Sequence, residues 1–320
     1  MKNVIYLLFV SLFSVISYCQ ENYQVGYIID LKKDTLNGFI DYQNWEKNPK
    51  KIAFKTTIEG SKTYYMPNSI VNFKVADEIY ESAIVQIDNS SDKIGELTYS
   101  NKFAYTTDTV FLQTLVDGVK SLYYYHDENA KQHFFIKKNN AFETLSYKKY
   151  LKTLEGKNFV RENNTYFAQL ASYLADCSNI QEKIPKLKYE KDKIVKLFNE
   201  YYTCVGKETK FQKKKDKIST EIGVVAGMSI ARAIIPLGYY NPFPDAQLPI
   251  VYYPCAGVSF NIILPRLRGR LSINNELLYV SYRTKKHYEN NVSINDYTII
   301  DAQLYHNWLK VNNYINYKQP

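Results

Sequence analysis

Histidine and cysteine are scarce in this sequence, with four of each among 320 residues. None of the histidines, which are His126, His133, His287 and His306, has a metal-ligand partner at a standard spacing. The chain also lacks a CxxC pair, an HExxH motif, a GxSxG nucleophile turn and a Walker A phosphate loop. The sequence therefore predicts no metal ligands, no cofactor-binding residues and no catalytic residues.

The net charge is +9, but positive and negative residues are nearly balanced over most of the chain. The excess lies between Gln181 and Lys217, where 12 lysines accompany 6 acidic residues. No RNA-recognition, zinc-finger or helix-turn-helix signature surrounds these lysines. We interpret them as a solvated surface and predict no nucleic-acid partner.

The apolar run at the N-terminus, Val4–Ile16, is too short to cross a bilayer, which takes about 20 residues. It follows the basic start Met1-Lys2-Asn3 and precedes Ser17-Tyr18-Cys19. This order predicts a cleaved signal peptide over residues 1–19, with the mature chain beginning at Gln20. A lipid-modified Cys19 is the alternative, but the bulky Tyr18 before it fits that cleavage poorly.

Three cysteines remain after Cys19 is removed with the signal peptide. An exported chain meets an oxidising compartment, where disulfides form. Cys177 and Cys204 flank a predicted helix, so we predict that these two can pair and that Cys255 stays free. Their spacing matches no zinc pattern.

Short apolar runs separated by polar turns predict a β-rich periplasmic domain over residues 20–163. Tyrosine, with 31 residues, suits such half-buried strands. The predicted strands are Tyr23–Leu31, Leu36–Tyr42, Lys51–Lys55, Lys62–Met66, Ser69–Val75, Glu78–Ile87, Thr109–Val116, Ser121–Tyr125, His133–Lys137 and Phe142–Tyr147. Trp45 and the tyrosines either pack in the core or bind sugar or peptide.

Two apolar stripes at helical spacing predict a helical segment over 164–206 that packs on the sheet. The first comprises Phe167, Leu170, Ala171 and Leu174, and the second comprises Ile194, Leu197, Phe198 and Tyr201. The charged stretch 207–217 is predicted to be a linker.

From Ile218 the hydrophobic period becomes two, which is typical of strands with one oily and one polar face. The pattern recurs over Pro254–Leu264, Leu271–Tyr279 and Trp308–Tyr317. The predicted lipid-facing residues are Ile218, Ile222, Val224, Ala226, Met228, Ile230, Val258, Phe260 and Ile262. Glu221 and Glu276 fall on the other face, where they form a carboxylate pair or bind Arg232 or Arg270.

The predicted connections alternate between long and short, at Pro236–Tyr252, Pro265–Gly269 and Arg283–His306. This alternation is typical of outer loops and periplasmic turns. The predicted fold is an α+β N-terminal domain, β-rich with two C-terminal helices, followed by antiparallel transmembrane β-strands. These strands, over 218–320, are predicted to form a partial barrel of about four strands.

Several segments resemble the porin-family outer-membrane β-barrel proteins of Bacteroidetes-type bacteria. The segments are Gly26–Ile29, Asp34–Tyr42, Trp45 with Asn48–Lys50, Glu78–Ala83, Ser121–Tyr125 and Tyr147–Leu151. The resemblance implies an outer-membrane protein of a Gram-negative bacterium whose N-terminal domain lies in the periplasm. It also implies further strands, and hence a truncated barrel, but no catalytic residues.

The first functional hypothesis is a non-enzymatic outer-membrane β-barrel protein with a periplasmic interaction module. Its expected partners are outer-membrane lipid, the barrel-assembly machinery and periplasmic or envelope proteins. The second is a soluble exported periplasmic binding protein whose C-terminal strands form a β-sandwich. The third is a barrel enzyme that acts on lipid or peptide.

Overall fold

The computed structural model describes residues 21–232, 248–266, 270–293 and 296–317. The predicted signal peptide, its cleavage site and the lipid-modified alternative at Cys19 lie outside these residues. The chain divides into two compact units, the first ending at Lys215 and the second beginning at Asp216.

Ten strands of the first unit form an antiparallel meander with one long-range pairing. They are β1 (Tyr23–Asp30), β2 (Thr35–Asp41), β3 (Ile52–Lys55), β4 (Thr63–Tyr65), β5 (Ile70–Val75), β6 (Glu78–Asp88), β7 (Tyr105–Asp117), β8 (Leu122–His126), β9 (Gln132–Lys138) and β10 (Ala141–Leu145). Strands β5 to β10 pair in chain order, as do β1 to β4, and β1 joins the two series by pairing with β5.

The alternation of side chains along β8 explains why this sheet has cores on both faces. Leu122 and Tyr124 belong to the cluster covered by helices, whereas Tyr123 and Tyr125 join a second cluster with Phe135. Successive strand residues point to opposite faces, so an unbroken apolar run is buried on both sides.

Short helices cover one face of the sheet. They are α1 (Thr165–Tyr173), α2 (Ser178–Gln181) and α3 (Lys191–Val205), with 3₁₀ turns at Ile94–Glu96 and Ile184–Lys186. The predicted stripe of α3 is buried, and the helix ends at Gly206, whose φ is 62°. No helix among the described residues combines the length and apolar character that crossing a bilayer takes.

The sequence did not predict a hairpin that lies, in chain order, after β10 and before α1. It comprises β11 (Lys148–Leu154) and β12 (Lys157–Asn163), which pair with each other as a two-stranded sheet. Glu155 and Gly156 form its two-residue turn, both at positive φ. Positive φ at both positions matches the turn that strand twist favours.

The segment predicted as a linker is bonded to the sheet. Within it, β13 (Phe211–Gln212) pairs with the end of β7. Lys213 lies 2.9 Å from Asp77 and 3.8 Å from Glu78, measured from Nζ to the carboxylate oxygens. Backbone pairing and a buried ion pair therefore hold residues 211–213 against the sheet, inside the stretch predicted to be a linker.

The second unit is a four-stranded antiparallel sheet in chain order. Its strands are β14 (Ser219–Ala231), β15 (Val251–Ile263), β16 (Leu271–Ser293) and β17 (Asp296–Tyr317). Most of the predicted polar connection Arg283–His306 is strand instead, since the β16–β17 ladder continues to Ser293 and Asp296. Backbone pairing continues there even though the apolar alternation stops.

The predicted fold class is wrong. Strands make up 55% of the structure and helices 13%, so the fold is predominantly antiparallel β and not α+β followed by transmembrane strands. In the described residues the last four strands form an open sheet and no closed barrel. The alternating pattern behind the prediction arises in any sheet whose two faces meet different surroundings.

Candidate functional sites

A cleft of about 890 Å³ lies within the first unit. Its walls come from four separate segments: the loop after β6, the turn between β8 and β9, the β11–β12 hairpin with the start of α1, and the chain before α3. Three of these segments lie at strands: the loop after β6, the turn between β8 and β9, and the β11–β12 hairpin. Segments that connect strands commonly carry binding residues on a rigid scaffold.

A buried ion pair orders one wall of the cleft. Lys131 Nζ donates to Asp88 Oδ2 at 2.8 Å and to the Ser90 carbonyl at 2.7 Å. The Lys131 and Asp88 side chains are 7% and 5% exposed. Burial raises the pKa of Asp88, but hydrogen bonds from Lys131 and the Ala104 N–H outweigh it, so this pKa lies below its ordinary value.

A second pair fixes the β8–β9 turn. His133 Nε2 and Asp127 Oδ2 lie 2.9 Å apart, and Asp127 Oδ1 accepts the backbone N–H groups of Asn129 and Lys131. Burial raises the pKa of Asp127, and the bond to His133 and the two amides lower it further than burial raises it. The charges at this end of the cleft are therefore engaged with the protein itself.

Two oxygens of residues that line the cleft accept no hydrogen bond. Asp92 Oδ1 and Asn164 Oδ1 are both buried and without a hydrogen-bond partner. Lys131 Nζ lies 3.7 Å from Asp92 Oδ1, which is an ion-pair distance but too long for a hydrogen bond. Burial is the main reason why the pKa of Asp92 is raised.

Four aromatic side chains line the cleft. The Tyr147 and Tyr189 rings stack with centroids 4.6 Å apart, and Tyr166 contacts Phe167 at 4.5 Å. Tyr147 donates to Glu162, and Tyr189 donates to the Leu145 carbonyl. Burial raises the pKa of Tyr147 and Tyr189, so both remain neutral phenols. The rings are held in fixed positions.

The second unit presents an apolar sheet face to solvent. Val224 is 91% exposed and pairs with Val258, which pairs with Leu277, which pairs with Val311. On the other face, Glu276 accepts hydrogen bonds from Tyr314 and Asn312. This second face is mixed, since it also carries the buried residues Leu278, Val280 and Tyr282.

The residues predicted to face lipid lie along this apolar face. All except Ile218, which precedes β14, are on strands β14 and β15, where Ile222 pairs with Phe260 and Val224 with Val258. Their contact with lipid stays a prediction. Glu221 accepts a hydrogen bond from Asn261, and Glu276 bonds to Tyr314 and Asn312, so the two glutamates have different partners.

The structure also places the remaining candidates. Cys177 and Cys204 form a disulfide with Cα atoms 6.3 Å apart, and Cys255 is free. Trp45 packs edge-on against Phe73 and Tyr80, as core packing requires. No group of three or more histidine, cysteine or acidic residues in the described part of the chain could hold a metal ion.

Sequence reasoning missed the cleft because its residues lie far apart in the chain. The available signals were the polar run Asp88–Asp92, which follows a predicted strand, and three tyrosines at positions that the helical stripes do not explain. Those tyrosines are Tyr147, Tyr166 and Tyr189. Neither signal shows that the segments meet.

Comparison with known proteins gives no relative. No family model, no curated protein and no solved structure matches the chain. The resemblance to porin-family proteins therefore stays a prediction.

Proposed function

We propose that this chain is an exported, non-enzymatic protein of the bacterial envelope. In this proposal the first unit is an interaction module in the periplasm, and the second unit contacts outer-membrane lipid through its apolar face. The observation that carries the proposal is that face, which is exposed, apolar and continuous across four paired strands.

The extent of the face argues for lipid. Exposed apolar patches of more than a few hundred Å² are rare on soluble monomers and mark interaction surfaces. Asn275 and Asn313, which pair with each other, are the polar interruptions within its part on β16 and β17. Moving such an apolar surface from water into hydrocarbon lowers the free energy.

The border of the face also suits a membrane. On β16 the last apolar residue of this face is Tyr279. Arg283 and Lys285 lie further along the strand on the same face. Arg283 contacts the ring of Tyr305 on the paired strand. Tyrosine and basic side chains favour the boundary between hydrocarbon and water, where the ring or stem is apolar and the tip is wet.

The disulfide supports export. Cys177 is buried and bonded to Cys204 within the helical layer. Structural disulfides persist in the periplasm and outside the cell, and they are rare in the reducing cytosol. A covalent link at this place is consistent with folding after export.

The experiment compares Val224→Arg with Val225→Arg in the full chain. Val224 belongs to the apolar face, and Val225 alternates to the other face and is partly buried. An Arg that faces hydrocarbon at the bilayer midplane costs about 2–4 kcal/mol, and much less near the interface. We expect Val224→Arg to lose most of its recovery in the outer-membrane fraction, and Val225→Arg to lose much less.

Equal behaviour of both variants, with the protein and its variants soluble in the periplasm, would reject lipid contact. The cleft of the first unit would then favour a soluble exported binding protein. Circular dichroism of both purified variants checks that each retains its sheet.

A further inference from the structure

We propose that one face of the β11–β12 hairpin binds the surface of an anionic phospholipid membrane. This basic–apolar face consists of Tyr150, Lys152, Leu154, Lys157, Phe159 and Arg161. The inference goes beyond the proposed function, because it gives the first unit a lipid contact of its own. The observation that carries it is that every cross-strand pair on this face joins a cation to an apolar side chain.

The register of the hairpin builds the face. The three pairs on it are Tyr150 with Arg161, Lys152 with Phe159, and Leu154 with Lys157. The two members of an antiparallel pair point to the same side of the sheet and are close neighbours there. The residues between them along each strand alternate to the other side. Cations and apolar groups therefore alternate both along the strands and across them.

The face carries three positive charges and no carboxylate. Glu162 alternates to the opposite side, where it pairs with Lys149, and Glu155 lies in the turn. The side chains of Lys152, Lys157 and Arg161 are exposed, and in the part of the chain that the structure describes they form no ion pair. Their charges are therefore available to an anionic partner.

The apolar members of the face are open to water. Phe159 is 45% exposed, Leu154 is 38% exposed, and Tyr150 is partly exposed. Moving such side chains out of water lowers the free energy. The stems of lysine and arginine can lie along the same apolar surface while their charged ends reach out to phosphates. This combination is typical of segments that lie at the boundary between lipid headgroups and hydrocarbon.

The shape of the hairpin favours a membrane over a peptide or a nucleic acid. Its two strands form a sheet of their own, and six of the seven residues of β12 are exposed, so the face is no groove. Peptides bind in grooves or along strand edges, and single-stranded nucleic acids need several rings for stacking. A lipid surface instead places anionic phosphates beside hydrocarbon over a wide area, as the alternation on this face requires.

The test places a tryptophan on each side of the hairpin in the full chain. Phe159→Trp reports on the basic–apolar face, and Val160→Trp is the matched control, since Val160 is 46% exposed and points to the opposite side. Each variant is mixed with vesicles that contain a spin-labelled lipid, which quenches tryptophan on contact. The vesicles are phosphatidylcholine alone or an equimolar mixture with phosphatidylglycerol, and the quenching of the two native tryptophans is subtracted.

We expect Phe159→Trp to be quenched by the anionic vesicles, and Val160→Trp to be quenched much less. Neutral vesicles should quench Phe159→Trp only weakly. The probe reports on the hairpin itself, so the result does not depend on whether the second unit also contacts lipid.

Charge variants in the Phe159→Trp chain identify the cations. Lys152→Gln combined with Lys157→Gln should weaken the contact about 20- to 30-fold, because each basic side chain near an anionic surface contributes about fivefold. Lys32→Gln combined with Lys193→Gln is the matched control. It changes the net charge equally, at exposed lysines outside the hairpin, and should have little effect.

The proposal would be overturned if anionic vesicles did not quench Phe159→Trp beyond the native background, or if neutral vesicles or the Val160→Trp position gave equal quenching. Equal behaviour of the two charge variants would overturn it as well. Soluble polyphosphate that the chain binds as tightly as anionic vesicles of equal phosphate concentration would exclude the membrane as the specific ligand. Failure of the proposed function is separable, because it is read from the fractionation of Val224→Arg in the second unit.

Discussion

Lys213 and Lys215 are two residues apart and meet opposite surroundings. The Lys213 side chain is 5% exposed and lies near Glu78, whose side chain is fully buried. Lys215 pairs with Asp192 at 2.9 Å on the open surface. Position in the fold, and not residue type, decides what each ammonium group contributes.

We expect Lys213→Ala to lower the free energy of unfolding by about 3–5 kcal/mol, because it leaves buried Glu78 without its cation. Lys215→Ala is the matched control and should change stability little, since exposed pairs are screened by water. Urea unfolding at pH 7 measures both. Similar losses in the two variants would contradict the importance of burial at Lys213.

Asp88 and Asp92 should affect acid stability with opposite signs. The folded pKa of Asp88 lies below its unfolded value of about 3.9, so its stabilisation is present above that pH and is lost as pH falls through the folded pKa. The folded pKa of Asp92 is raised, so ionising Asp92 costs stability as pH rises through the unfolded and folded values.

We therefore expect Asp88→Asn to destabilise the protein at pH 7 and to flatten its loss of stability below about pH 4. Asp92→Asn should be neutral or stabilising at pH 7. Unfolding midpoints measured between pH 3 and pH 7 compare the two. A steeper acid loss in Asp88→Asn than in the wild type would contradict this assignment.

At the scale of elements, the end of α3 depends on one glycine. Gly206 has a φ of 62° and donates its N–H to the Tyr202 carbonyl. No neighbouring atom lies within 4 Å of an added Cβ, so the constraint is the backbone conformation and not space. Residues with a Cβ adopt this left-handed region at a cost of about 1–2 kcal/mol.

We expect Gly206→Ala to lower the free energy of unfolding by about 1–2 kcal/mol. Gly95→Ala is the control, because Gly95 also has open space but no left-handed φ. There the smaller entropy of the unfolded chain should leave stability unchanged or raise it by about 0.4–1 kcal/mol. Thermal unfolding of both variants measures these changes. A shift of both unfolding midpoints in the same direction would contradict the argument.

Elements with a strong apolar period could be predicted from the sequence, and others could not. The stripe of α3 and the apolar runs of β8 and β9 correspond to buried faces. The β11–β12 hairpin has mostly exposed, lysine-rich strands and so lacks that signal. The outer half of the β16–β17 ladder is equally polar. Backbone pairing extends it, together with side-chain contacts across the strands such as that of His287 with Asp301.

At the scale of the whole molecule, the boundary of the first unit determines which fragment folds. The sequence predicts that residues 20–206 fold alone. The structure adds β13 and Lys213 to the same sheet and ends the unit at Lys215. A fragment ending at 206 therefore lacks the pairing of β13 with the end of β7 and the cation beside Glu78.

We expect residues 20–215 to unfold cooperatively when expressed alone in the periplasm. Residues 20–206 should be less stable by about 3–5 kcal/mol, since buried Glu78 loses the neighbouring cation Lys213 and keeps the hydrogen bond from Tyr80. Urea unfolding of the two fragments, followed by circular dichroism, checks the difference. Equal midpoints would show that residues 207–215 contribute nothing to the unit.

The candidate site lies beyond sequence reasoning for a physical reason. Lys131 and Asp88 are more than forty residues apart, and the aromatic side chains come from two further segments. Periodicity reports which face of an element is buried, but it does not report which loops meet. The apolar face of the second unit follows from alternation along single strands, and so its residues could be predicted.

The pairing order of the first unit has a consequence for the time course of folding. Most strands pair with a neighbour in the chain, so most loops that must close are short and close quickly. Strand β13 is different, because its partner residues on β7 lie about ninety residues earlier in the chain. Its closure carries the largest chain-entropy cost in the sheet, although that cost grows only slowly with loop length. A chain that emerges N-terminus first therefore pairs its meander early and adds β13 last. Until β13 arrives, Glu78 remains without Lys213, and Val116 and Asp117 at the end of β7 remain without this strand partner.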